Sequence, residues 1–334
     1  WIEDAMATQV EDESLRRRRD LVLALLAVAR EDVPRAKHLV DELRVAWPED
    51  ARVTLLEARV ALLERREDDA LNILQSLSHE EVAKDADFVD VALLLAELLR
   101  RRGRAAEAHP ILERLLESQL SADQTPRPDA AVTMIRLARV EVSLNLASRA
   151  LERIREAEPI VEHYFGSRST TYATLQATKA SALNLQENYA DAAEAFRAAA
   201  DAYAGSLGAS HRNAIRSRIN QAQTLSYAPG REEEALQLYA LVERTARTTM
   251  AANDPLLAFM RVQWAEALVR GRRWDEARGV LKEVASMPED GSAAMDRRLA
   301  PLVDAIVAKN TGCTTPVPPE MPAGKRLLSA VCRG

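Results

Sequence analysis

The stretch Ala180–Phe196, ASALNLQENYADAAEAF, sets two alanines twelve residues apart, Ala180 and Ala192, with an aromatic four residues after the second. Working outward from it, the same punctuation recurs along nearly the whole chain. The first alanine appears as Ala24, Ala58, Ala96, Ala138, Ala180, Ala222 and Ala265. The second appears as Ala36, Ala70, Ala108, Ala150, Ala192, Ala235 and Ala277. Four residues after each second alanine stands a large apolar residue: Val40, Leu74, Leu112, Ile154, Phe196, Tyr239 and Leu281. The interval within a pair is 12 in six cases and 13 in one, and successive units are 34 to 43 residues apart. In an alanine-rich chain one match is cheap, but seven in phase are not.

Close approach explains the alanines. Two helices joined by a short turn touch best where the side chain is a methyl group, and a bulkier residue one turn later fills the groove beside that contact. One such unit cannot bury its own apolar face, so several must stack.

These residues resemble the tetratricopeptide repeat (TPR) family, whose helix–turn–helix signature includes A-x3-F. The first unit, with Ala36, Val40 and Pro48, is similar to the 34-residue form, and the units from Ala96 onward to the longer form of kinesin light chains. In that form a Gly-x-x-His-Pro loop leads into the next helix. Here Gly208-Ala209-Ser210-His211-Arg212 follows Gly166-Ser167-Arg168-Ser169-Thr170 by 42 residues and is answered by Ala252-Asn253-Asp254-Pro255. The resemblance implies an all-α chain: an α-solenoid, wound as a right-handed superhelix, of about seven TPR-like helical hairpins, with a C-terminal capping helix and an extended tail.

The expected order is a lead-in at 1–14, then a solenoid at 15–288 with units near 15–48, 50–78, 87–119, 130–163, 169–204, 211–249 and 254–287. Pro110 lies early in a second helix, which should start late or kink. Residues 119–129, QLSADQTPRPD, form a polar, Pro-containing hinge candidate, and Gly103, Gly230 and Gly271 mark turns. The one-residue excess of the sixth unit falls in SYAPG, its interhelix turn, where an insertion is cheap. Residues 292–309 carry Leu299, Leu302, Val303 and Ile306 at the spacing of an amphipathic capping helix. Residues 310–334 are a Pro-rich tail.

Composition agrees: hydrophobic residues make 47% and charged residues 29%, but aromatics only 4%, a balance that favours long helices. The net charge of −6 argues against a nucleic-acid role. Arg16 to Arg19 sits beside acidic residues and reads as a solvated face. The longest apolar run, Leu21 to Ala29, is nine residues, too short to cross a bilayer. There is no signal-peptide pattern and the first residue is Trp, which suggests a piece of a larger protein.

No chemistry announces itself. His38, His79, His109, His163 and His211 form no metal motif and read as helix-end or loop residues. No Gly-rich phosphate loop and no G-x-S-x-G elbow occurs. The acids Asp68-Asp69 and Glu232-Glu233-Glu234 precede second helices, where they suit the helix dipole. The expectation is a non-catalytic chain without cofactor or metal.

What remains is a surface. The resemblance implies a concave groove lined by the first helix of each unit, at positions about six, three and two residues before its alanine and one after it. Six before stand Arg18, Arg52, Asp90, Val132, Thr174, Arg216 and Phe259; one after stand Leu25, Arg59, Glu97, Arg139, Ser181, Gln223 and Glu266; two before stand Arg136, Asn220 and Gln263. The ligand-binding candidates are Arg52, Arg59, Arg136, Arg139, Arg216, Asn220, Gln223 and Gln263. Guanidinium, amide and hydroxyl groups of this kind grip peptide backbone and carboxylates. Arg136 and Arg139, with Arg59 and Arg216 on either side, should make the middle of the groove locally positive and attract an acidic or C-terminal-carboxylate peptide.

The implied function is a protein- or peptide-binding module, the sensory or scaffolding half of a larger bacterial signalling or regulatory protein such as a membrane-anchored regulator or Ser/Thr kinase. The Ala/Arg/Leu-heavy usage agrees with a bacterial source. The alternative is a small-molecule or signal-peptide sensor whose solenoid changes pitch on binding. Cys313 and Cys332, the only cysteines, flank the Pro-rich tail. They suggest a disulfide that needs an oxidising compartment, hence a periplasmic or extracytoplasmic location; the rival is two free thiols on a cytoplasmic tail.

Overall fold

The computed structural model describes residues 12–76, 89–120, 127–252 and 254–285. Among the described residues are fourteen α-helices and no strand. They are α1 (Glu13–Ala29), α2 (Val33–Ala46), α3 (Ala51–Leu63), α4 (Glu67–Gln75), α5 (Val89–Arg101), α6 (Ala105–Gln119) and α7 (Pro128–Ser143). There follow α8 (Ala147–Phe165), α9 (Thr170–Leu185), α10 (Tyr189–Leu207), α11 (Arg212–Leu225), α12 (Glu232–Thr249), α13 (Pro255–Arg270) and α14 (Trp274–Ala285). The helices pack in sequence-adjacent pairs, the arrangement of a TPR-like α-solenoid. The chain divides into two compact units, Trp1–Arg153 and Ile154–Gly334. In the first unit the leading helices of successive hairpins touch, α1 on α3, α3 on α5 and α5 on α7; in the second, α11 touches α13.

The phased residues are the core. Every one of the fourteen alanines and seven large apolar residues of the repeat pattern is at most 3% exposed. An alanine there leaves room for the neighbouring helix, and the residue four further on fills the interhelix groove. Each large side chain so buried is worth about 1.5–3 kcal/mol.

The turns inside the hairpins have a second signature. Five residues before the second alanine the backbone is left-handed in every hairpin: Glu31, Arg65, Gly103, Asn145, Glu187, Gly230 and Arg272, with φ between 56° and 78°. Six of these close a paired hydrogen-bond motif at the end of the leading helix. After α9, for example, Asn188 N–H donates to Leu183 O (3.0 Å) and Glu187 N–H to Asn184 O (3.1 Å). After α3, Arg66 N–H donates to Ala61 O (2.8 Å) and Arg65 N–H to Leu62 O (3.0 Å). The same pair occurs after α1, α5, α7 and α13. The exception is the turn at 226–231, the site of the SYAPG excess, where Arg231 N–H donates to Ala228 O (3.1 Å). The extra length displaces the tight motif.

Side-chain caps start many of the helices. Asp12, Asp32 and Asp50 accept backbone N–H groups at the starts of α1, α2 and α3. The loop motif of the later units does the same work: Ser169, His211 and Asp254 occupy one slot, 42 and 43 residues apart, and cap α9, α11 and α13. The acids expected before second helices occupy the first turns of α4 and α12, where they face the positive end of the dipole.

Some expectations are corrected. Helix α6 starts at Ala105, not late, and carries Pro110 in its second turn. Gly271 does lie in its turn, as the C-cap of α13 with φ −79°, and the left-handed residue beside it is Arg272. His38 and His109 lie inside α2 and α6 rather than at ends or in loops. Most of the lead-in, residues 121–126 of the hinge candidate, His79, the capping helix at 292–309 and the tail with Cys313 and Cys332 lie outside the described residues.

Candidate functional site

In an α-helix two positions seven residues apart lie on one stripe, because two turns take 7.2 residues. The groove positions six before and one after the leading alanine are such a pair. In the first unit they converge on an open cleft of about 440 Å³, within the roughly 300–1,000 Å³ of small-ligand and peptide-anchor sites. Helix α1 contributes Arg18, Leu21, Val22 and Leu25, helix α3 contributes Arg52, Leu55, Leu56 and Arg59, and helix α5 contributes Asp90. Leu21, Leu55 and Leu56 form a buried floor, whereas Val22 and Leu25 are 37% and 44% exposed. The rim is guanidinium.

Carboxylates thread this surface. Asp50, the cap of α3, holds Arg17 (2.8 Å to Nε) and Arg52 (3.1 Å to Nε). Arg59 lies 3.5 Å from Asp90. Burial pushes the Asp50 carboxyl up, but the hydrogen bonds from Arg52 and Arg17 outweigh it and leave its pKa below the ordinary value. Further along the unit, Glu97 on α5 is shared by Arg100 (2.9 Å), Arg139 (3.3 Å) and Arg136 (3.9 Å). There too burial raises the pKa, while the Arg100 hydrogen bond and the charges of Arg139, Arg100 and Arg136 lower it below the ordinary value. Arg136 and Arg139 are thus both within ion-pair reach of Glu97, three guanidiniums with Arg100 around one carboxylate, and a ligand carboxylate there would compete with it.

In the second unit the leading helices present a different chemistry. Arg216 is exposed, and Asn220 and Gln223 are half-buried on α11. The hydroxyls of Thr174 and Ser181 donate to Thr170 O (2.8 Å) and Ala177 O (2.9 Å), one turn back on α9. Gln263 and Glu266 do not line an open face: they are 3% and 2% exposed, because α13 is enclosed on nearly every side. Glu266 is engaged internally, accepting from Tyr227 Oη (2.7 Å) and Arg270 Nη2 (3.1 Å).

Two constellations had no signal in the repeat pattern. Tyr227, in the long turn, stacks on Tyr189 at 5.6 Å and carries the Arg270 guanidinium 4.0 Å above its ring. In the first unit Glu141 is fully buried with His109 (3.6 Å), Arg149 (3.4 Å) and Arg153 (3.5 Å) around one oxygen. It lies three residues after Ala138 on α7, between His109 of the preceding hairpin and Arg149 and Arg153 of its own second helix. Among the described residues no group of three or more His, Cys, Asp or Glu could hold a metal ion. No described helix is long and apolar enough to cross a membrane.

No protein-family model matches this sequence, and no curated protein is significantly similar to it. Solved structures do match in fold, and they are TPR-repeat proteins. Rap protein complexed with Competence and Sporulation Factor superposes with a TM-score of 0.61 at 11% identity, over 87% of this chain and 80% of its own. NprR in complex with its cognate peptide NprX gives 0.54 at 12% identity, over 98% and 99%. A kinesin light chain from Podospora anserina with nearly identical TPR-like repeats gives 0.51 at 20% identity, over 57% and 90%.

Proposed function

We propose that the chain is a non-catalytic protein- or peptide-binding module whose ligand lies on the leading-helix face. The observation that carries this reading is the cleft of the first unit. Residues one repeat apart in sequence, Arg18, Arg52 and Asp90 with Leu25 and Arg59, come together around an apolar floor. Aliphatic anchoring with guanidinium groups on the rim is a peptide-recognition chemistry. The half-buried amides Asn220 and Gln223 of the second unit suit peptide backbone. The NprR structure, in complex with its cognate peptide, and the Rap structure, complexed with Competence and Sporulation Factor, support the reading by likeness of fold. The wider role that fits is the sensory or scaffolding part of a larger bacterial signalling or regulatory protein.

Panning a random-peptide display library on the purified chain tests it. Enriched peptides should bind in calorimetry and lose affinity with Arg59→Glu or with Asn220→Ala/Gln223→Ala. If no peptide is enriched over a scrambled pool, the chain is not a peptide-binding module.

A further inference from the structure

The cleft of the first unit has a composition that selects among peptides, and this inference rests on the reading above. Its rim carries three guanidiniums, Arg18, Arg52 and Arg59, against the single carboxylate of Asp90. Arg52 shares Asp50 with Arg17, so that carboxylate is already divided between two cations. The Asp90 side chain is 64% exposed, which leaves Arg59 free to exchange it for another anion at little cost. Between the cations, Val22 and Leu25 stand exposed over the leucine floor. Such an arrangement neutralises anions at its edges and removes aliphatic surface from water at its centre.

Spacing narrows the ligand. Arg52 and Arg59 are seven residues apart on α3, about 10 Å along the axis at 1.5 Å per residue. Arg18 and Arg52 occupy equivalent positions on helices in contact, whose axes lie about 8–10 Å apart. Along either direction two cations flank the floor at about 10 Å, close to the roughly 9 Å rise of three residues in a polyproline-II-type extended chain, where residues i and i+3 lie on one face. We propose that this cleft binds an extended acidic peptide segment in which two carboxylates three residues apart bracket an aliphatic side chain. The carboxylates pair with guanidiniums of the rim, and the aliphatic group enters the floor between α1 and α3. Nucleic acid fits less well: the floor has leucines rather than aromatic stacking platforms, and the chain is acidic overall, with a net charge of −6.

Fluorescence anisotropy with labelled probes tests this on the full chain. The primary probe is Gly-Ser-Glu-Leu-Leu-Glu-Ser-Gly. Replacing both Glu by Gln, or both Leu by Ser, should weaken binding at least tenfold. Raising salt from 50 to 500 mM should weaken the primary probe several-fold. Arg18→Ala and Arg59→Ala should each weaken it about tenfold, the lower end of the range of a charge-assisted hydrogen bond. Arg244→Ala, on the exposed face of α12, should leave it unchanged. The sharpest arm is the double variant Arg18→Glu/Arg59→Glu, which should prefer the probe with Lys in place of Glu, with circular dichroism confirming an intact helical fold. If library peptides bind while these probes and cleft variants show no such pattern, the proposed specificity is overturned and the binding module stands. If neither library peptides nor probes bind, both fail. If an oligothymidine probe competes better than the acidic peptide, the ligand class is wrong.

Discussion

Replacing Glu187 by Gly should stabilise the protein, although it deletes a charged side chain and adds nothing to the fold. Glu187 sits at φ 57° in the turn between α9 and α10, exposed to solvent. Left-handed backbone costs an L-residue about 1–2 kcal/mol, and Gly escapes that cost. Against this, Gly loses more backbone freedom on folding, about 0.5–1 kcal/mol. The net expectation is a gain of about 0.5–1 kcal/mol. Gly103 offers the reverse experiment. It holds φ 75° in the equivalent turn, and a Cβ added there would meet nothing within 4 Å. Gly103→Ala therefore isolates the backbone term and should cost about 1 kcal/mol with no steric contribution. Glu187→Ala, which keeps a Cβ in the left-handed region, is the control and should be close to neutral. Urea unfolding followed by circular dichroism measures all three, with thermal midpoints moving about 2–4 °C per kcal/mol. A destabilised Glu187→Gly, or a Gly103→Ala variant as stable as the parent, would refute the claim that backbone conformation sets the energy of these turns.

Other consequences are equally checkable. Replacing the cluster together, Glu141→Met/Arg149→Leu/Arg153→Met, should be neutral within about 1 kcal/mol or stabilising, because buried ion pairs gain little over packed apolar side chains. Arg149→Ala/Arg153→Ala strands the Glu141 carboxylate and should cost about 3 kcal/mol in the same urea assay. Ala180→Leu, at a fully buried contact, should overpack the interface of α9 and α10 and cost about 1–3 kcal/mol. Acid should weaken the first unit through Asp50 and Glu97. Both have folded-state pKa values below the ordinary carboxylate values, so the unfolded chain protonates first. Their contribution is complete above the unfolded values near pH 4 to 4.5 and is lost as pH falls through the lower folded ones. Unfolding midpoints should drop below about pH 4, and Glu97→Gln should flatten that drop.

The repeat was legible because it rests on local geometry. Alanines at fixed intervals and a large residue four positions later follow from helix periodicity and close packing. Those constraints act on side-chain size, which a sequence displays directly. The left-handed turns were less legible, since only Gly103 and Gly230 carry the residue that usually marks them. Glu31, Arg65, Glu187 and Arg272 are forced into that conformation by the helices on either side. The loop slot at Ser169, His211 and Asp254 was visible as a motif, and the structure shows its chemistry to be capping.

The groove was half legible. That Arg18, Leu25, Arg52, Arg59 and Asp90 share one surface follows from their offsets along helices and needed only the repeat to be recognised. Which charges remain available to a ligand did not follow, because that depends on neighbours 30 to 42 residues away. Glu97 draws Arg136 and Arg139 to itself from an adjacent hairpin, and Asp50 captures Arg17 across 33 residues. Gln263 and Glu266 obey the same offsets as the cleft residues yet are buried. Periodicity assigns each side chain to a face of its own helix. Whether that face meets solvent, a carboxylate or another helix is decided by pairings between hairpins, which only the tertiary structure brings together.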